Sequence, residues 1–248
     1  MDARHLIPQP NHPQLLVSIR NLAEAKLALA AGVDWIDLKE PASGPLGHPT
    51  VETAREVGNF LVNFPQRSVA LGELEQLDIS LAVDLARQFP VAKVGLAGLG
   101  PSSSWQRRFR DLQCNLQASL VPVVYGDWED CDAPSPASVL ELAVSVQASY
   151  VLYDTFTKNG LSLLEHLNRI DLEQWILEAT THGIQTVLAG SLTERDWPEL
   201  QKLPWAAIAL RGAVCEGHRS GEIAPLKLEQ WRQRVRSHSS AASITAGQ

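Results

Sequence analysis

The chain is short of the residues that mark several large protein classes. Its 248 residues include three cysteines. Cys114, Cys131 and Cys215 lie far apart, are odd in number and form no Cys-x-x-Cys pair. A disulfide framework is not expected, and a reducing cytoplasm is the natural compartment. None of the seven histidines pairs as His-x-His or His-x-x-x-His, so a local zinc motif is lacking, and neither a metal nor a cofactor is expected. Basic residues are outnumbered, 21 Lys and Arg against 28 Asp and Glu, for a formal net charge of -7. No basic stripe offsets that balance, so nucleic acid is not an expected partner. A local positive pocket for a small anion is still compatible with an acidic protein. No run approaches the ~18 apolar residues of a membrane span, and Met1 to Pro13 carries no apolar signal region. A soluble protein without a membrane partner is expected, with self-association left open.

What is present is a globular composition, 45% hydrophobic and 20% charged, arranged as short β-type runs that alternate with helical segments. Candidate strands are Leu15-Ile19, Trp35-Lys39, Ser68-Gly72, Val91-Leu96, Gln117-Val124, Tyr150-Thr155, Gln185-Ser191 and Ala206-Gly212. Asn21 is placed to cap a helix over Leu22-Ala31, which Gly32 stops, and Thr50 to cap Val51-Phe60. Further helices are expected at Ser138-Val146 behind Pro136, Glu194-Lys202 behind Thr193, Leu161-Thr181 and Leu226-Arg236. Eight strands alternating with helices predict a single (β/α)8 TIM barrel over residues 15–236. A polar extension at 1–14 precedes it, and a Ser/Ala-rich tail at 237–248 is expected to be disordered or frayed. An open doubly wound sheet is the alternative. It is disfavoured because the first strand–helix turn, Ser18-Ile19-Arg20-Asn21, lacks a Gly-rich dinucleotide fingerprint.

In a barrel, the chemistry gathers where strands end and βα loops begin. Alternation puts Trp35, Asp37 and Lys39 on one face of the second strand. Lys93 lies on the fourth strand, Asp154 ends the sixth, and Lys158 follows in the next loop. Tyr125 and Asp127 follow the fifth. Lysines and aspartates gathered there suggest amine chemistry, in which a neutral lysine attacks a carbonyl to give a Schiff base. Such a lysine needs desolvation or a neighbouring cation to release its proton. Lys39, Lys93 and Lys158 can depress one another, while Asp37 and Asp154 oppose that effect and can shuttle protons. Buried ion pairs without catalysis are the plainer explanation of the same pattern.

Two late segments suit a phosphate. Gly190 and Ser191 end the seventh candidate strand, and Arg211, Gly212 and Ala213 end the eighth. Glycine lets backbone amides approach an anion, and barrels often bind phosphate with these two loops. Arg211 can add charge, although alternation can also direct it away. The segment Ser43-Gly44-Pro45-Leu46-Gly47 is either a plain connection or a substrate lid. His48 and His218 fit surface loops, and Trp105, Trp128, Trp197 and Trp231 fit packing roles.

Taken with their flanks, these stretches resemble one family, the (5-formylfuran-3-yl)methyl phosphate synthases, also called 4-(hydroxymethyl)-2-furancarboxaldehyde-phosphate synthases. The matching stretches are Leu15-Leu16-Val17-Ser18, Asp37-Leu38-Lys39 with Gly44-Pro45-Leu46-Gly47, and Lys93-Val94-Gly95-Leu96. They continue with Tyr125-Gly126-Asp127, Asp154-Thr155 with Lys158-Asn159-Gly160, Leu188-Ala189-Gly190-Ser191 and Arg211-Gly212-Ala213-Val214-Cys215. The resemblance implies a barrel enzyme of methanofuran-type cofactor synthesis that condenses two glyceraldehyde 3-phosphates, a triose phosphate, with release of phosphate and water. It implies Lys39 as the Schiff-base lysine and Lys93 as the main proton acceptor. Asp37, Asp154 and Lys158 would complete the charge network, and Ser18, Tyr125 and Asp127 would join the phosphate loops in holding substrate. The chain departs from the family pattern at Gly72-Glu73-Leu74-Glu75 and at Glu216-Gly217-His218-Arg219. Another Schiff-base phosphosugar aldolase, an Asp-x-Lys decarboxylase and a non-catalytic phosphometabolite-binding barrel remain the rivals. The decarboxylase usually needs a second aspartate where this chain has Ala42.

Overall fold

The computed structural model describes residues 12–245 apart from residue 101, with side chains described as far as His238. Eight parallel strands close into a barrel in sequence order, β1 bonding to β8. They are β1 (Gln14–Ile19), β2 (Trp35–Leu38), β3 (Arg67–Glu73), β4 (Val91–Gly95), β5 (Ser119–Tyr125), β6 (Tyr150–Asp154), β7 (Gln185–Leu188) and β8 (Ala207–Leu210). The helices outside are α1 (Leu22–Ala30), α2 (Val51–Phe60), α3 (Ile79–Ala86), α4 (Trp105–Asn115), α5 (Pro136–Ser145), α6 (Leu163–His166), α7 (Arg169–Thr181), α8 (Trp197–Leu200) and α9 (Pro225–Thr245). The expected (β/α)8 barrel is therefore present. Its strands are buried on both faces, which is why they read as near-continuous apolar runs.

Two packed layers follow from strand alternation. Ile36, Val69, Val94, Val151 and Leu188 point outward into the layer shared with the helices. Leu16, Trp35, Ala70, Val121, Leu152 and Val187 point inward and fill the barrel. Trp35 meets Tyr150 edge to face, ring centroids 4.8 Å apart, and the two aromatics plug the lower interior. Trp35 Nε1 also donates to Ser68 Oγ at 3.1 Å. That plug is the floor beneath the site, because Asp37 and Lys39 stand two and four residues further along the same face.

Several local expectations meet differences with physical causes. Asn21 and Thr50 cap α1 and α2 as expected, accepting from Glu24 N and Thr53 N. α3 and α4 fill two connections of the expected barrel whose helix bounds the apolar pattern leaves open. Asp78 caps α3, and α4 buries only the narrow stripe of Trp105, Phe109 and Leu112 on an otherwise polar helix. The single helix expected over 161–181 is broken, because Leu167 is extended and Asn168 opens α7 by accepting from Ile170 N. β7 stops at Leu188 rather than Ser191, where Gly190 and Ser191 take positive φ of 86° and 53° and turn the chain. α9 runs on to Thr245, past the expected end at Arg236. Residues 1–11 of the expected N-terminal extension and 246–248 of the expected tail lie outside the described residues. Among the described residues, no helix is long and apolar enough to cross a membrane.

Candidate active site

The barrel mouth holds a cavity of about 240 Å³ whose lining includes Ser18, Lys39, Lys93, Asp154 and Lys158. The seventh and eighth βα loops close one side with Gly190, Ser191, Gly212 and Ala213. The lysine–aspartate constellation expected from the strand ends is thus brought to one place, and the two candidate phosphate loops face it.

Asp37 is fully buried and lies behind the cavity wall. Its Oδ2 is 2.6 Å from Lys93 Nζ and accepts from Ser18 Oγ at 3.1 Å, while Oδ1 accepts from Ser68 Oγ at 2.6 Å. A carboxylate removed from water needs this set of partners, and Lys93, itself only 4% exposed, needs the carboxylate. Asp154 is the second anchor. Its Oδ1 is 2.8 Å from Lys158 Nζ and accepts the Thr155 amide at 2.7 Å. Burial alone would raise the Asp154 pKa, but Lys158, Lys39 and the Thr155 amide outweigh it and hold the carboxyl below its usual value. Lys158 is fixed further by the carbonyl and hydroxyl of Thr155 at 2.6 and 3.0 Å.

Lys39 differs from both. Among the described residues, its ammonium nitrogen has a single hydrogen-bond partner, the Pro45 carbonyl at 3.3 Å. Burial lowers its pKa to about 8, with Lys93 and Lys158 adding to the effect and Asp154 and Asp37 opposing it. The dominant cause is desolvation, not the mutual repulsion of lysines. The result is one weakly engaged amine between two paired ones, an arrangement suited to attack on a carbonyl.

Three expected site residues have other work in the structure. Arg211 is only 6% exposed, and its five N–H groups are all engaged. Nε donates to Arg219 O at 2.7 Å, Nη1 to Ser18 O at 3.1 Å and Glu24 Oε2 at 2.5 Å, and Nη2 to Glu24 Oε1 at 3.0 Å and Gly221 O at 2.6 Å. Arg211 does line the cavity, but with every N–H engaged within the protein its guanidinium has no donor left over for a phosphate in this arrangement. Asp127 accepts the amides of Phe156 and Thr157, both at 2.7 Å, and so braces the loop after β6. Those amides bring its pKa down against the upward pull of burial. Neither Asp127 nor Tyr125 lines the cavity. Tyr125 is fully buried and donates to Glu73 Oε1 at 2.6 Å.

Two residues at this end of the barrel were not anticipated. Glu73 follows a register shift in β3, presses against Gly95, where a side chain would collide with it, and accepts the Ala97 amide at 3.0 Å. Burial raises its pKa despite the Tyr125 hydrogen bond. Arg219 lines the cavity and donates to the Gly44 carbonyl at 2.8 Å. The sequence marks Arg219 only as part of Glu216-Gly217-His218-Arg219, where the chain departs from the family pattern, and assigns it no role.

The family model described as 4-HFC-P synthase matches residues 15–232. A protein of Archaeoglobus fulgidus named (5-formylfuran-3-yl)methyl phosphate synthase is 29% identical over 223 residues, covering 85% of this chain and 94% of that one. The protein of the same name from Methanopyrus kandleri is 29% identical over 215 residues, covering 82% of this chain and 90% of the relative. Among solved structures, phosphoribosyl anthranilate isomerase from Thermus thermophilus is similar with a TM-score of 0.58 at 18% identity, covering 90% of this chain and 98% of that one. That likeness concerns the barrel alone.

Proposed function

The chain belongs to the 4-HFC-P synthase family, and we propose that it condenses two molecules of glyceraldehyde 3-phosphate into (5-formylfuran-3-yl)methyl phosphate through an imine on Lys39. The observation that carries this mechanism is the state of Lys39, a desolvated amine with a pKa near 8 facing a cavity of triose-phosphate scale. The neutral amine adds to the aldehyde or ketone carbon and water leaves, forming the imine. A proton is then removed from the adjacent carbon, and the resulting enamine adds to the carbonyl of a second triose. Loss of inorganic phosphate, ring closure and a net loss of two waters build the furan, and hydrolysis of the imine releases it and returns the Lys39 amine.

The surrounding residues divide the proton transfers. Lys93, the cation of an ion pair with Asp37, is a donor first and becomes a base only after it has delivered a proton. Asp37, held by two serine hydroxyls, keeps that side chain oriented. Asp154 and Lys158 face the same cavity and stabilise charge that develops on the other side of the imine. Backbone at Gly190, Ser191, Gly212 and Ala213 supports a phosphoryl group. The product fits a role in methanofuran-type cofactor synthesis in the cytoplasm.

The test is direct. The protein incubated with glyceraldehyde 3-phosphate is expected to release inorganic phosphate and a furan aldehyde phosphate identified by mass spectrometry. Borohydride reduction during turnover should leave the adduct on the peptide that contains Lys39. A furan product with the adduct only on Lys93 or Lys158 would move the nucleophile, and absence of the furan would reject the reaction.

A further inference from the structure

The segment after Lys39 is built as a closed ring. The Glu40 amide donates to the Gly47 carbonyl at 2.8 Å, and within that ring Ser43 N donates to Glu40 O at 3.1 Å and Gly47 N to Gly44 O at 3.4 Å. Leu46 is 1% exposed, packs with the inner barrel cluster and lines the cavity. With its ends tied to each other and one side chain packed into the barrel, the strap is a compact loop. Its consecutive carbonyls at Gly44 and Pro45 are each held by a cavity cation. Arg219 donates to Gly44 O at 2.8 Å and Lys39 to Pro45 O at 3.3 Å.

These two cations stand apart from the others that line the cavity. Lys93, Lys158 and Arg211 each hold a carboxylate within 2.5 to 2.8 Å. Among the described residues, Arg219 and Lys39 have only neutral backbone carbonyls. A phosphoryl group is a much stronger acceptor for a guanidinium than a carbonyl, since charge-assisted hydrogen bonds are roughly twice as strong as neutral ones. The loops at Gly190, Ser191, Gly212 and Ala213 line the same cavity as Arg219.

We propose that Arg219 reads the substrate's phosphoryl group, and that the Glu40–Gly47 strap couples its capture to release of the Lys39 amine. When phosphate takes Arg219, Gly44 O loses its charged donor and the strap loses one of its two ties. The remaining tie, at 3.3 Å from Lys39 to Pro45 O, is long for a hydrogen bond. The amine then turns from the strap to the substrate carbonyl. An aldehyde without a phosphoryl group loses more than binding, because it meets an amine still engaged with Pro45. This proposal rests on Lys39 being the trapping amine, as proposed above, and adds what recognises the phosphate and how that recognition reaches Lys39.

The experiment supplies the substrate in two pieces. Unphosphorylated glyceraldehyde is trapped on the full-length protein with cyanoborohydride, with and without inorganic phosphate, and the Lys39 adduct is quantified by peptide mapping. In the wild type, phosphate should accelerate trapping by about tenfold, the scale of one charged hydrogen bond. Arg219→Met should bring that ratio close to one, and Arg219→Lys should retain part of it. Equal stimulation in wild type and Arg219→Met would overturn the proposal, as would inhibition of wild-type trapping by phosphate. If neither glyceraldehyde with phosphate nor glyceraldehyde 3-phosphate gives a Lys39 adduct in the wild type, the imine mechanism fails on its own. Calorimetric binding of inorganic phosphate then decides the Arg219 assignment. Affinity lower by about tenfold or more in a folded Arg219→Met protein supports it, and unchanged affinity overturns it.

Discussion

Two buried ion pairs at the same end of the barrel show how similar chemistry serves different ends. Arg211 and Glu24 meet at 2.5 Å with side chains 4% and 6% exposed, and Lys93 and Asp37 meet at 2.6 Å with 5% and 0%. By charge, distance and burial they are nearly equivalent. They differ in what is left over. Arg211 is saturated by Glu24 and three backbone carbonyls, so its pair ties β8 to the start of α1 and to the Arg219–Gly221 segment. Lys93 has one charged partner and faces the cavity. A charge whose donors are all engaged is scaffold, and a charge with a free side toward a cavity is available for chemistry. Lys39 lies furthest along that scale.

The largest effect is expected where engagement is least. Lys39→Ala should abolish both the borohydride adduct and furan formation, a loss on the order of 10⁴-fold or more for removal of a nucleophile. The melting temperature should stay close to that of the wild type, because no carboxylate depends on Lys39 within ion-pair distance among the described residues. Retained furan production would place Lys39 with the scaffold. Arg211→Met tests the other end of the comparison. It leaves Glu24 buried without its cation, which costs about 3–5 kcal/mol of stability. Chemical denaturation should show that loss, and Glu24→Gln in the same chain should recover part of it. A loss below about 1 kcal/mol would mean that the pair is not a structural tie.

A smaller effect follows from pH. The protonated form of Lys39 is unreactive toward carbonyls, and its pKa is lowered to about 8 chiefly by burial. Single-turnover trapping should therefore rise about tenfold per pH unit below that value and level off above it. An ordinary exposed lysine would still be rising at pH 9. A rate that keeps rising past pH 9 would show that Lys39 is not desolvated in solution.

How much of this was legible in the sequence differs by residue. The barrel and the lysine–aspartate cluster were legible because strand alternation and strand ends are local properties. Trp35, Asp37 and Lys39 follow from spacing alone. Arg211, Tyr125 and Asp127 satisfied the same positional test, yet their partners decide their roles. Glu24 lies 187 residues from Arg211, and Glu73 lies 52 from Tyr125. Arg219 stands out in sequence only as part of a departing segment, without a role, for the converse reason. It occupies no strand end, and it reaches the cavity from a segment held in place by Arg211 Nε donating to the Arg219 carbonyl. Residue type and position gave candidates, but saturation of donors over long sequence separations was not visible.

The smallest expected effects separate the two glycines of the candidate phosphate loops, which looked equivalent in sequence. Gly190 has a φ of +86°, and an added Cβ would lie 3.0 Å from both the Thr155 amide nitrogen and the Thr155 methyl, and 3.1 Å from the Leu163 Cβ. Gly190→Ala is therefore strained whatever it does to ligands, by about 1–3 kcal/mol. The strain falls on Thr155, whose carbonyl and hydroxyl hold Lys158, so turnover should drop along with stability. Gly212 has no such constraint. A Cβ there would meet only the Arg219 backbone and Cβ at 3.8 to 4.0 Å, an ordinary contact. Gly212→Ala should leave the melting temperature unchanged and shift KM for glyceraldehyde 3-phosphate by no more than about twofold. Gly212→Val carries extra bulk toward Arg219 and should raise KM severalfold, by roughly 1 kcal/mol of lost anion binding, with kcat less affected. If both Gly212 variants left KM unchanged in stable protein, the Gly212–Ala213 backbone would not contact the phosphate, and the anion would be held by Gly190, Ser191 and Arg219 alone.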